Sequence, residues 1–486
     1  LPRLNHIVDL DGDVSEPSSY AALIAIGRNA PVPITVPHAN DLASLIYTSG
    51  TTGNPKGVML THLNLSSNLS GILAVADVKG EDRGVAFLPW AHVFGGCVEL
   101  NLGLATGGST AICGDATKLA DYLALVKPTV LFAVPRVWNK IYAGVQKTMA
   151  TKPAAIRWAF ETALAAKKKQ KKGERITLKE SVAVAIADRV IIPKVKQGFG
   201  GELRFACSGA AALAREVAEF MEALGIDVYE GYGMTEGSGC TTAQPRGNPR
   251  LGSVGKPIPG VRIVFDKEAT GAFGDEGEVI MYGPSVMRGY HKLEEATRQT
   301  LTADGGIRTG DLGKLDEDGY LYITGRVKEL YKLENGKYVA PVPLEEKLQL
   351  SPYIAQCVVF GSDRRHNVAL IIPDLAAVRA WAESQGTKVD DDALLTEPSV
   401  RALLEQEVAK YNTEFKGYER IVDFVVDTEE MTTANGLLTP TLKLKRRQVV
   451  AKYQSVFDSL YPAPASNRPE PRASYIRELM PAVRSA

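Results

Sequence analysis

Apolar positions recur along this chain at two periods. Leu119, Tyr122, Leu123 and Val126 stand at i, i+3, i+4 and i+7, which marks one face of a helix. Pro128 ends that helix, and Thr129 to Val134 reads as a buried strand. The pattern returns further on. Leu213, Val217, Phe220 and Leu224 line a second helix face, Gly225 is placed to terminate it, and Ile226 to Tyr229 follows as the next strand. Helix–strand alternation of this kind predicts an α/β domain with largely parallel sheets and ligands at the carboxyl ends of the strands.

After Ile263 the pattern changes. Turn dipeptides become dense (Thr270-Gly271, Gly274-Asp275, Asp318-Gly319), with short extended runs such as Glu278 to Met281 and Tyr320 to Ile323 between them. This predicts a β-rich subdomain. From about Lys328 a smaller α+β unit follows, whose strands include Gln356 to Phe360 and Val368 to Ile372. Residues 461–486 hold five prolines and read as a tail. A length of 486 residues supports this division, because one core stops growing at roughly 250–300 residues.

Composition narrows the function classes. Lys plus Arg and Asp plus Glu are 56 each, so the formal net charge is zero, which argues against a protein built to bind nucleic acid. Cysteines at 97, 113, 207, 240 and 357 have neither metal-ligand nor redox spacing and read as reduced thiols of a cytoplasmic protein. The most apolar stretch, Ser181 to Pro193, is broken by Asp188 and Arg189 and is no membrane span. The start, Leu1-Pro2-Arg3, has neither an initiator Met nor a signal-peptide block, and is read as the start of a fragment. Lys167, Lys168, Lys169, Lys171 and Lys172 form one charge block. It is expected to be a solvated loop between helices, with peripheral contact to anionic membrane lipid as the alternative.

The chemistry centres on Tyr47-Thr48-Ser49-Gly50-Thr51-Thr52-Gly53-Asn54-Pro55-Lys56-Gly57, which follows the apolar run Leu42 to Ile46. Glycines let a backbone approach polyphosphate, while hydroxyls and a lysine add donors. The usual P-loop places Gly directly before Lys-Ser/Thr, and here Pro55 precedes Lys56. On residue chemistry alone, a phosphate cradle and a polar Ser/Thr/Gly turn fit equally well.

Further motifs decide between them. The loop resembles the signature of the adenylate-forming superfamily of acyl-CoA synthetases, luciferases and nonribosomal adenylation domains. In the order that superfamily shows come Tyr232-Gly233-Met234-Thr235-Glu236, Thr309-Gly310-Asp311-Leu312, Gly325-Arg326-Val327-Lys328-Glu329 and Leu438-Thr439-Pro440-Thr441-Leu442-Lys443. The resemblance runs from about residue 40 to 461. Details such as Val134-Pro135-Arg136-Val137, Ser208-Gly209-Ala210-Ala211-Ala212-Leu213 and Tyr331-Lys332-Leu333-Glu334-Asn335-Gly336 are similar to the long-chain fatty acyl-CoA synthetase branch. Members of the family carry a further segment before the phosphate loop, so the resemblance implies an N-terminally truncated α/β chain. Residues 1–326 would be the large adenylation domain of parallel-rich α/β sheets with a β-rich subdomain. Residues 327–460 would be a smaller mobile α+β domain behind a hinge at Lys328.

The resemblance implies ATP-dependent activation of a fatty acid to acyl-AMP, with magnesium, followed by transfer to coenzyme A. The alternatives are an acyl-AMP ligase serving a carrier protein, and a non-catalytic acyl-nucleotide-binding module. Nucleotide would be held by Thr48, Ser49, Gly50, Thr51, Thr52, Gly53 and Lys56, by the backbone of Gly209, Ala210 and Ala211, and by Tyr232, Gly233, Thr235, Asp311 and Arg326. Tyr232 would stack on adenine, Asp311 would accept the ribose hydroxyls, and Thr48 with Glu236 would face the metal. Lys443 would bridge carboxylate and α-phosphate, with Lys445 as rival. His92, in Leu88-Pro89-Trp90-Ala91-His92, would stand beside the acyl tunnel, and Gly336 on the coenzyme A path.

Overall fold

Val130, Leu131, Phe132 and Ala133 are all buried, as a short strand covered on both faces requires. They lie within a five-stranded sheet of the computed structural model, which describes residues 8–48, 55–268, 275–387, 397–439 and 444–461. Strands Val130–Ala133, Phe205–Ser208 and Val228–Tyr232 run parallel, and Thr242–Ala243 and Lys256–Pro257 extend the sheet antiparallel. On the other side Thr129 N–H donates to the Arg83 carbonyl at 2.9 Å. That bond brings the parallel pair Arg83–Ala86 and Ser109–Ile112 alongside. Ser208 is in register with Glu230, so the segments after both strands leave the same sheet end.

The helices follow the predicted faces. Leu119–Val126 buries Leu123 and stops at Lys127 in a left-handed conformation, just before Pro128. Arg215–Ala223 buries Val217 and Phe220, and Gly225 turns the chain at φ +68°. The strand after it begins at Val228, two residues later than the apolar run suggests. The Ile226 N–H is still bonded to the Met221 carbonyl at 3.0 Å, which completes the helix end.

The lysine block departs from expectation. It is no loop: Ala154–Lys171 is one helix, and its Ala159, Phe160, Ala163 and Ala166 are buried. Carboxylates of neighbouring helical segments draw the lysines in. Lys167 pairs with Asp188 (2.6 Å), Lys168 with Glu219 (2.8 Å), Lys169 with Glu180 (2.5 Å) and Lys171 with Glu222. Cations also suit a helix C-terminus, where the macrodipole is negative.

Two antiparallel sheets complete the large region. Leu42–Thr48 pairs with Lys56–Thr61, and Gly289–Tyr290 adds to the outer side of the second strand. Arg262–Asp266, Gly277–Tyr282, Ile307–Leu315 and Leu321–Arg326 form a four-stranded sheet where turn signals were dense. Beyond residue 340 a third arrangement appears. Ile354–Phe360, Asn367–Pro373 and Ile421–Val426 make a mixed sheet whose alternation sorts side chains to opposite faces. Cys357, Val359, Ala369 and Ile371 pack with helices Pro341–Leu348 and Pro398–Asn412. Val358, Val368 and Leu370 pack with Arg446–Ser459. The molecule is thus a large α/β body followed by a smaller α+β region. Residues up to Asp41 form a compact unit of their own, with helix Tyr20–Asn29 capped by Ser19. Among the described residues no helix is long and apolar enough to cross a membrane.

Candidate functional site

The phosphate-loop motif begins on one strand of an antiparallel pair and ends on the other. Thr48 faces Lys56 across the last register position, and Ser49, Gly50, Thr51, Thr52 and Gly53 lie outside the described residues. A P-loop leads straight into a helix. Here Lys56 opens a strand, and the helix His62–Leu73 starts only after it. That helix is fixed by a capping box between Thr61 and Asn64.

Two asparagines one helical turn apart then tie distant loops to the hairpin. The Asn64 amide donates to the carbonyls of Pro284 (2.8 Å) and Val286 (2.7 Å). The buried Asn68 donates to those of Gly237 (3.3 Å) and Cys240 (2.6 Å), and accepts from Cys240 N–H (3.2 Å). The second set is the loop carrying Thr235 and Glu236. Gly233 in that loop has no room for a side chain, because a Cβ would collide with the Gly239 carbonyl.

Glu236 leaves the end of strand Val228–Tyr232 in a short 3-10 turn, Thr235–Gly237. Its carboxylate accepts the Tyr290 hydroxyl at 2.6 Å, and the Lys56 ammonium sits 4.8 Å from the centre of the same ring. Burial, and then the Glu236 charge, push the Tyr290 phenol up, so it remains a donor. A second constellation lies at Asp311, which is 5% exposed. Tyr232 donates to one carboxylate oxygen at 2.7 Å, and Arg326 reaches the other at 3.0 Å. Asp311 and Arg326 are direct partners in neighbouring strands. The Arg326 pKa is raised first by Asp311, and to a lesser degree by Glu329, Tyr232 and Glu236, so both constellations share one neighbourhood. Burial, and then Asp311, hold the Tyr232 phenol well above its ordinary range.

The Gly209–Ala211 segment leaves the neighbouring strand end. Ala210 adopts φ +71°, a left-handed strain tolerated where surrounding structure demands it. A Cβ at Gly209 would lie 3.2 Å from the Phe94 ring, which places the His92 segment against this loop. His92 is half-buried, and its Nδ1 accepts the Phe94 N–H at 3.3 Å. A π-helix, Phe94–Leu100, follows directly and carries the buried Glu99. Lys328 is exposed in the turn after strand Leu321–Arg326, whose next residue, Val327, donates to the Gly310 carbonyl at 2.9 Å. Gly336, at φ +82°, turns a two-stranded hairpin. Lys443 lies outside the described residues. The segment holding it is bracketed by a Leu438–Leu444 bridge and by Lys445 N–H bonded to the Leu437 carbonyl.

Sequence reasoning missed Tyr290, Asn68, Glu230 and Glu99. Asn64 was missed as well, and of these residues only Asn64 and Asn68 carried a readable signal, their i, i+4 spacing behind the hairpin. Glu230 is buried beneath the 209–213 loop, where it accepts the Leu213 N–H at 3.2 Å, and burial raises its pKa to about 7. Glu99 is 6% exposed, and burial raises it to about 8 against the weaker opposing effect of a Trp90 hydrogen bond. Its folded value lies above the unfolded 4.5, so the native chain keeps a proton that the unfolded chain releases between these values. The contribution of Glu99 to the unfolding free energy should therefore fall as pH rises from about 4.5 to about 8, with a slope approaching about 1.4 kcal/mol per unit. Glu99→Gln should flatten that limb in denaturant titrations across the window. An unchanged slope would show that the proton is taken up elsewhere.

Oxygen donors at Thr48 and Glu236 suit a hard cation. Among the described residues no group of three or more His, Cys, Asp or Glu could hold a metal.

A family model described as AMP-binding enzyme matches residues 2–291, and AMP-binding enzyme C-terminal domain matches residues 329–465. Long chain acyl-CoA synthetase 7, peroxisomal, of Arabidopsis thaliana is 34% identical, covering 93% of this chain and 65% of that protein, so the chain spans a little under two thirds of that relative. Long-chain-fatty-acid–CoA ligase FadD15 of Mycobacterium bovis is 35% identical, covering 95% of this chain and 76% of that protein. Among solved structures, the adenylation domain of a carboxylate reductase from Mycobacterium chelonae has a TM-score of 0.71 at 28% identity, covering 91% of this chain and 64% of that one. ATP-bound MatB from Rhodopseudomonas palustris has 0.60 at 25% identity, covering 87% and 70%.

Proposed function

Because the chain belongs to the AMP-binding enzyme family, we propose that it activates a long-chain fatty acid with ATP and passes the acyl group to coenzyme A. The observation that carries this reading is the Tyr232–Asp311–Arg326 constellation beside Glu236, at the carboxyl end of the parallel strands. Long-chain-fatty-acid–CoA ligases among the relatives support the substrate class.

A fatty carboxylate is already a nucleophile at neutral pH, so forming acyl-AMP needs alignment and charge screening rather than a base. Asp311 has lone pairs left on both oxygens after its two bonds and is suited to accept ribose hydroxyls. Tyr232, its hydroxyl tethered to Asp311, would offer its ring to adenine against the strained Ala210 backbone. His92, with Nδ1 occupied as an acceptor, would present Nε2–H toward the carboxylate end of the acyl group. Lys56 and Lys443 would screen the triphosphate, with Thr48 and Glu236 holding its cation. Magnesium would there neutralise charge on the phosphates. The coenzyme A thiol, reactive enough at pH 7 without a dedicated base, would then lose its proton and attack the acyl carbon, forming the thioester as the acyl–phosphate bond breaks and AMP leaves.

In this reading residues 327–460 act as the moving part, pivoting at Lys328, with Gly336 near the pantetheine path. Five cysteines without a disulfide suit a reducing compartment such as the cytoplasm. The test is pyrophosphate release with ATP over a ladder of fatty acids, then acyl transfer with coenzyme A and a phosphopantetheinyl carrier offered in parallel. Release that depends on chain length, and transfer to coenzyme A, is the expected result. No fatty-acid-dependent release would reject the activity, and transfer to the carrier alone would reassign the acceptor.

A further inference from the structure

We propose that Tyr290 is a positioning residue for the phosphate end of this site, holding the Glu236 carboxylate and the Lys56 ammonium on one rigid ring and apart from each other. The inference deepens the reading above and rests on it. The hydroxyl donates to Glu236 at 2.6 Å, while Lys56 lies over the ring face, 4.8 Å from its centre. Among the described residues, no ion pair joins Lys56 to Glu236; each meets the tyrosine instead. A direct pair would satisfy both charges within the protein and compete with the triphosphate and its cation. The ring gives the cation a partner that it leaves readily, and gives the carboxylate one neutral donor, so that oxygen lone pairs remain.

The backbone shows how firmly the ring is set. Tyr290 is 6% exposed and stands opposite Val58, two residues from Lys56 on the same strand. The bonds Arg288 N–H to Met59 (3.0 Å) and His291 N–H to Gly57 (2.8 Å) lace its strand to the hairpin. Met287 N–H reaches the carbonyl of Glu236 itself at 2.8 Å, and Tyr290 N–H donates to Thr297 Oγ1 at 2.9 Å. One short strand therefore fixes the phosphate hairpin and the Glu236 turn to each other, with the tyrosine at their meeting point.

The test is calorimetric binding of ATP and of AMP to the full chain over a magnesium series, with no fatty acid present. Tyr290→Phe keeps the ring and loses the donor. It should raise the magnesium concentration for half-maximal ATP binding roughly tenfold, as loss of a ligand's supporting partner does, with AMP affinity within about twofold. In a Glu236→Gln background the same change should add nothing, whereas a merely structural role would add its full effect there as well. Thr297→Val, which loosens the ring without touching its hydroxyl, should shift the same constant in the same direction, and stands in if Tyr290→Phe does not fold. Parental magnesium dependence in these variants overturns the inference alone. A parent chain that binds no magnesium–ATP overturns both this inference and the function it rests on.

Discussion

Lys443→Ala should lower acyl-adenylate formation by roughly 10²–10³-fold, the loss expected when one preorganised charge is removed from a transition state that concentrates negative charge. The proposed role sets a limit on the damage. In that role Lys443 would face phosphate only while pyrophosphate departs, so thioester formation from supplied acyl-AMP and coenzyme A should stay close to the parental rate. The two half-reactions are separable by pyrophosphate release and by thioester formation from synthetic acyl-AMP. Equal loss in both would make Lys443 a structural residue. Parental adenylation would pass the role to the rival Lys445.

Arg446→Met should cost about 3–5 kcal/mol of stability, because it strips a buried carboxylate of its counter-charge. The guanidinium grips Glu345 through both oxygens, at 2.6 and 2.5 Å, and Glu345 is 5% exposed. Without Arg446 that carboxylate would keep the Val359 N–H, at 2.7 Å, as a donor. The double change Glu345→Leu, Arg446→Met should recover most of the loss, since a buried ion pair competes poorly with apolar packing of similar volume. Urea midpoints of the single and double variants decide the matter. A single variant as stable as the parent would mean that the carboxylate escapes by taking up a proton or reaching water. The pair also fixes a helix in place: Arg446 opens the helix that follows the Lys443 segment, and Glu345 anchors it to helix Pro341–Leu348.

What could be read in advance has a physical pattern. Faces such as Leu119 to Val126 were legible because the helix period is local, and Gly225 because its left-handed turn needs no partner. The motif residues Tyr232, Asp311 and Arg326 were legible individually, and the structure brings Tyr232 and Arg326 within hydrogen-bond reach of Asp311. Tyr290 was silent because its chemistry arises from the register Tyr290–Val58, between residues far apart in sequence. Glu99 and Glu230 look like ordinary surface acids until distant segments cover them. The lysine block misled for the same reason: its partners Asp188, Glu219 and Glu222 lie on elements that no local window includes.

The short distance along the chain between Arg326 and Lys328 has a mechanical consequence. Arg326 is clamped to Asp311, the next residue is bonded to Gly310, and the turn begins there. If a body pivots at Lys328 as proposed, the lever arm is almost nil at Arg326 and grows only with distance in space from the pivot. Swinging it would sweep the far end through a wide arc while the sugar contact barely shifts, as a door moves fastest at its handle and hardly at all beside its pin. An adenylate held by Asp311 could thus stay seated while the face turned toward its acyl carbon is exchanged.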